Sequence, residues 1–112
     1  MPRHCLTLDL NDNAQQIAEY KRYHETIWPE VRDSLFAAGV LNMEIYLLGT
    51  RMFMIMDVSE DFTPARKASM DAANPKVKEW ETIMHGFQRE LAQAKPGEKW
   101  LPMERVFDLA AQ

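Results

Sequence analysis

The chain has 112 residues, a formal net charge of −4, and 46% hydrophobic against 27% charged residues. That balance is ordinary for one globular domain over 1–112 that buries its own core. An acidic chain without a basic stripe argues against nucleic acid, and no apolar run approaches the ~20 residues of a membrane span. The polar start MPRH does not read as a signal peptide, and the single cysteine, Cys5, cannot close an internal disulfide. Both features favour a reducing cytoplasm.

Residues 3–10, RHCLTLDL, alternate Cys5 and Thr7 with Leu6, Leu8 and Leu10, the period of a strand with one buried face. Asn11, Asp12 and Asn13 supply turn chemistry and a helix cap. From 14 to about 38, apolar residues recur at Ile17, Tyr20, Ile27 or Trp28, Val31 and Leu35, with His24 on the same line. Pro29 predicts a kink or a break near 26–28 and opens a second helical segment, which Gly39 stops. Two strands over 41–48 and 52–58 flank a short Gly-Thr-Arg turn and form an antiparallel hairpin. A helix over 64–73 is interrupted at Asn74-Pro75, and a longer one is expected over 76–94. After a Lys-Pro-Gly loop, 103–109 reads as a last strand.

The order β-α-β-β-α-β, with both helical stretches divided by proline, is an α+β, ferredoxin-like arrangement. Its antiparallel sheet carries helices on one face. The other face is then left with large apolar side chains, and a second copy of the chain is the expected cover, as in dimeric α+β barrels. Met43, Met52, Met54 and Met56 fall in the hairpin strands and read as adaptable core filler, not as a soft-metal site.

Few residues carry a chemical signature. Gly39, Gly49, Gly86 and Gly97 stand apart, so there is no phosphate loop. His4, His24 and His85 lack metal-ligand spacing, and Cys5 faces away from His4, so no metal site is expected. Tyr20 and His24, four apart, stack on one helix face, and Trp28 would extend the line. A histidine there is either a satisfied core residue or an imidazole held at a cleft to move protons near neutral pH. Trp80 lies on the apolar stripe of the last long helix, where packing is the default role. Trp100 follows a Pro-Gly loop and is placed to lie over an opening; tryptophan faces stack on the C–H faces of sugars.

The segment YKRYHETIWPEV over 20–31 resembles the signature of the L-rhamnose mutarotase family. The resemblance continues through NMEIYLLGTRMFMIMDV over 42–58, EWETIM over 79–84 and ERVFDL over 104–109, almost the whole chain. It implies a small, cofactor-independent, ferredoxin-like enzyme, usually dimeric through its sheets, that interconverts the α and β anomers of a deoxyhexose. By position it assigns proton transfer to His24, with Tyr20 beside it, and a sugar-lining role to Trp80. Where rhamnose-specific members have a second tryptophan, this chain has Glu81, and its loop over 96–105 also differs. Both departures resemble the branch associated with L-fucose; a carboxylate in place of a flat apolar wall would change which hydroxyls find partners. Trp28, Tyr46 and Trp100 complete the expected substrate-binding set. An L-rhamnose mutarotase is the alternative; a dimeric α+β barrel monooxygenase and a non-catalytic binding module are more distant ones.

Overall fold

A computed structural model of the chain describes residues 2–112. Strand β1, Arg3–Leu10, runs through the middle of one antiparallel sheet. It pairs on one side with β3, Arg51–Val58, which pairs in turn with β2, Val40–Leu48. On its other side β1 meets two short strands, β4, Gln88–Arg89, and β5, Leu101–Pro102. The path β2-β3-β1-β4 has the strand order of a ferredoxin-like sheet.

Helix α1, Ala14–Glu25, starts where the Asn13 side chain accepts from the Gln16 amide, and it ends at an extended Thr26. Pro29 is the first residue of α2, Pro29–Ala37, so the break falls at 26–28 as the proline requires. Thr63 caps α3, Pro64–Ala73, and Asn74 caps α4, Pro75–Phe87, accepting from both Lys76 and Val77. The helices cover one sheet face, onto which Leu8, Leu10, Met52, Met54, Met56 and Val58 are buried. The four hairpin methionines are core filler, as the pattern indicates: three are buried, and Met43 packs against the cluster of Val40, Met56 and Val58.

Two boundaries depart from expectation. The last long helix ends at Phe87, not near 94. Gln88 turns extended because the edge of β1 has unmet backbone groups there: Leu10 pairs with Gln88 and Asp9 with Arg89. Asn11 fixes the exit, its amide bonding the Phe87 carbonyl at 2.9 Å and its side chain the Gly86 carbonyl at 3.1 Å. The strand expected over 103–109 does not form. Pairing to β1 stops once the Met103 amide reaches the Cys5 carbonyl, and 104–108 leave the sheet. Pro102 has no amide to extend the ladder, and Val106 and Phe107 are adjacent, which defeats two-residue alternation.

The core divides into two clusters. One gathers Leu8, Leu10, Tyr20, Val31, Met52, Trp80 and Met84; the other gathers Val40, Met56 and Val58, with Leu35 packed against both. Residues of both groups line a cavity between the helices and the sheet.

Candidate active site

Tyr20 and His24 occupy successive turns at the end of α1, their ring centroids 4.4 Å apart and tilted by 32°. His24 Nδ1 lies 2.8 Å from the Tyr20 carbonyl oxygen. A carbonyl only accepts, so Nδ1 carries the proton and donates, and Nε2 of the neutral ring keeps its lone pair. Burial pushes the imidazole below its ordinary value, partly opposed by that backbone bond. The ring is therefore neutral at pH 7, a base with its tautomer set by its own helix.

Burial pushes the Tyr20 phenol up, partly opposed by the polar side chain of Gln88, so it keeps its proton. Trp80, buried on α4, meets His24 edge-on at 5.5 Å. Trp80 is held in turn by Tyr23 at 5.8 Å and by Trp28 at 5.3 Å.

The cavity measures about 380 Å³, within the range of small-molecule sites. Tyr20, His24, Trp80, Glu81, Gln88 and Trp100 line it, together with Phe62, Lys67 and Asp71. A second hollow, of about 480 Å³, also touches Tyr20 and His24 and is walled by Leu35, Met43 and Leu47. The His–Tyr pair is thus buried on its helix side yet stands at open space.

Five of the seven residues expected at the site from sequence share this cavity: His24, Tyr20, Trp80, Glu81 and Trp100. Trp28 does not line the cavity; it meets Trp80 edge-on, with the Lys76 ammonium 5.5 Å over its ring. Tyr46 is a correction. It is exposed, bonds Glu44 at 3.2 Å, and lies on the sheet face away from the helices. Met43, Ile45 and Leu47 take the helix-facing positions of β2, so the alternating Tyr46 must point the other way.

Sequence reasoning missed Gln88, Lys67, Asp71 and Lys99. Gln88 was hidden by the helical pattern expected to continue past it. Lys67 and Asp71, four apart, look like an ordinary solvent pair until the tertiary structure turns them inward. Among the described residues, no three His, Cys, Asp or Glu side chains converge as metal ligands, and no helix is long and apolar enough to cross a membrane.

The chain is similar to known proteins over almost its whole length. A family model described as L-rhamnose mutarotase matches residues 3–109. An L-fucose mutarotase of Xanthomonas campestris pv. campestris is 46% identical over 98% of this chain and 90% of its own length. An L-rhamnose mutarotase of Burkholderia cenocepacia is 31% identical over 81% of this chain and 84% of its own. The crystal structure of an L-rhamnose mutarotase from Formosa agariphila superposes with a TM-score of 0.71 at 26% identity, covering 97% of this chain and 99% of that one.

Proposed function

Since the chain belongs to the L-rhamnose mutarotase family, and is an enzyme that interconverts sugar anomers, we propose that its preferred substrate is the 6-deoxyhexose L-fucose. The greater identity to an L-fucose mutarotase than to L-rhamnose mutarotases supports that choice, as does Glu81 at the cavity beside Trp80. A carboxylate there accepts from hydroxyls that an indole would leave unpaired.

The observation that carries the mechanism is the His24 Nδ1 bond to the Tyr20 carbonyl at the cavity wall. His24 Nε2 takes the proton from the anomeric hydroxyl as the C1–O5 bond breaks, which leaves an aldehyde at C1. The ring oxygen takes a proton from the Tyr20 phenol, so the open-chain sugar stands between an imidazolium at His24 and a phenolate at Tyr20. Rotation about C1–C2 presents the other carbonyl face, and the same transfers run in reverse close the opposite anomer. Each positioned proton-transfer group contributes about 10²–10⁴-fold. Trp80 offers a flat apolar surface for the sugar's C–H face.

The test is anomer exchange by proton NMR. The H1 signal of one anomer is saturated, and transfer to the other is read with L-fucose and with L-rhamnose. Faster catalysed exchange of L-fucose at equal concentration is expected. Faster exchange of L-rhamnose reverses the substrate assignment.

The open sheet face completes the reading: a second copy covers it, making a homodimer. Cys5, Thr7, Phe53, Ile55 and Tyr46 alternate onto this face, away from the helices. Ion pairs rim it, Arg3 with Asp57 at 2.8 Å and Arg51 with Asp9 at 2.6 Å. An apolar centre with a charged rim is the anatomy of a protein interface.

A further inference from the structure

We propose that Lys67 and Asp71 form the hydroxyl-recognition end of the sugar cavity, pairing two neighbouring ring hydroxyls and so setting which 6-deoxyhexose is preferred. The proposal rests on the assignment of this cavity as the sugar site. Helix α3 presents Pro64, Lys67, Ala68 and Asp71 to the cavity, the i, i+3, i+4, i+7 stripe by which a helix ordinarily buries apolar side chains. Here none of the helix's residues is buried, and the stripe is small or charged. Its inner face borders the cavity's open space.

The Lys67 ammonium bonds the Asp71 carboxylate at 2.7 Å, with the side chains only 26% and 15% exposed. Among the described residues no other ion pair is as enclosed on both sides; Lys76 and Glu79, on the next helix, are each more than half exposed. The same cavity is lined by the apolar side chains of Met54, Met56, Phe62 and Val77. In such surroundings each charge gains from further hydrogen bonds. One of the three ammonium donors is used within the pair, and the carboxylate retains free lone pairs. The pair can therefore donate to one hydroxyl and accept from the next, which is the pattern of a vicinal diol. Proton transfer belongs to His24 and Tyr20 on α1, so anomeric chemistry and hydroxyl recognition sit on different helices around one cavity.

The experiment measures KM and kcat for anomer exchange in the native protein, Lys67→Met and Asp71→Asn. The substrates are L-fucose, L-rhamnose, and the 2-, 3- and 4-deoxy analogues of whichever is exchanged faster. Each variant is expected to raise KM about tenfold or more, with kcat within about twofold of native. The analogue lacking a paired hydroxyl should suffer in the native protein and lose nothing further in the variant. A pair that only braces its helix would leave KM unchanged, or would penalise every analogue equally in native and variant protein; either result overturns the proposal. Circular dichroism verifies folding, and if Asp71→Asn unfolds, Asp71→Glu and Lys67→Met carry the same comparison. If L-rhamnose is the better substrate, the L-fucose assignment fails, while the deoxy-analogue comparison made on L-rhamnose still decides the role of the pair.

Discussion

His24 is oriented by the backbone of Tyr20, whose carbonyl oxygen lies 2.8 Å from Nδ1 and whose ring stacks 4.4 Å away. One residue thus sets the histidine's tautomer through its main chain and borders the same cavity with its side chain. No carboxylate is needed to hold the imidazole, which keeps the ring neutral and its Nε2 basic.

Removing that base should remove the reaction. His24→Asn is expected to slow anomer exchange by about 10²–10⁴-fold while the circular dichroism spectrum stays native. NMR saturation transfer on the variant is the measurement. Native exchange rates would show that His24 is not the proton carrier.

The depressed imidazole predicts the acid limb of the pH profile. kcat/KM should be flat through neutrality and fall only at a pH below the ordinary histidine value of ~6.5, as Nε2 becomes protonated. Stability should follow the same sign. Below ~6.5 the unfolded chain protonates this histidine before the folded one does, so the contribution is complete above that pH and is lost as pH falls through the folded value. Thermal unfolding of native and His24→Gln protein between pH 5 and 8 isolates this component, which should vanish in the variant.

Trp80 joins packing and site. It is buried and touches Tyr23, His24 and Trp28 edge to face, so Trp80→Ala should cost about 3–5 kcal/mol by urea unfolding. Trp80→Phe fills part of the space and should fold at smaller cost, with KM raised more than kcat is lowered.

Gly39 joins α2 to β2 at φ +97°, a region that disfavours side chains. A Cβ there would stand 2.6 Å from the Ser59 hydroxyl oxygen, which is itself bonded to Asp61. Gly39→Ala should destabilise by about 1–3 kcal/mol, read from the shift in urea midpoint.

Ile55 lies at the centre of the uncovered sheet face, opposite both Cys5 and Glu44. Ile55→Lys should convert a dimer to a monomer in sedimentation equilibrium. A native protein that sediments as a monomer at every concentration tested would remove the dimer proposal.

The primary sequence by itself determined everything that depends on neighbours along the chain. Helical period alone puts Tyr20 and His24 on one face, Pro29 ends one helix and begins the next, and Asn13, Thr63 and Asn74 cap because their side chains reach amides two or three residues on. The hairpin follows from two apolar runs and a glycine turn. Tertiary structure decided what depends on distant partners. Gln88 and Arg89 are helix-compatible, yet become strand because β1 offers unmet hydrogen bonds there, and 103–109 looks strand-like but finds no ladder to join. In Leu-Asn-Met-Glu-Ile-Tyr-Leu-Leu both sheet faces carry apolar residues, so only pairing with β3 and packing under the helices turns Tyr46 outward. Lys67 and Asp71 read as solvent-facing until α3 is laid over a cavity. The physical reason is that local hydrogen bonds and side-chain periods act within a few residues, whereas burial is a property of the surfaces that meet only when the whole chain has folded.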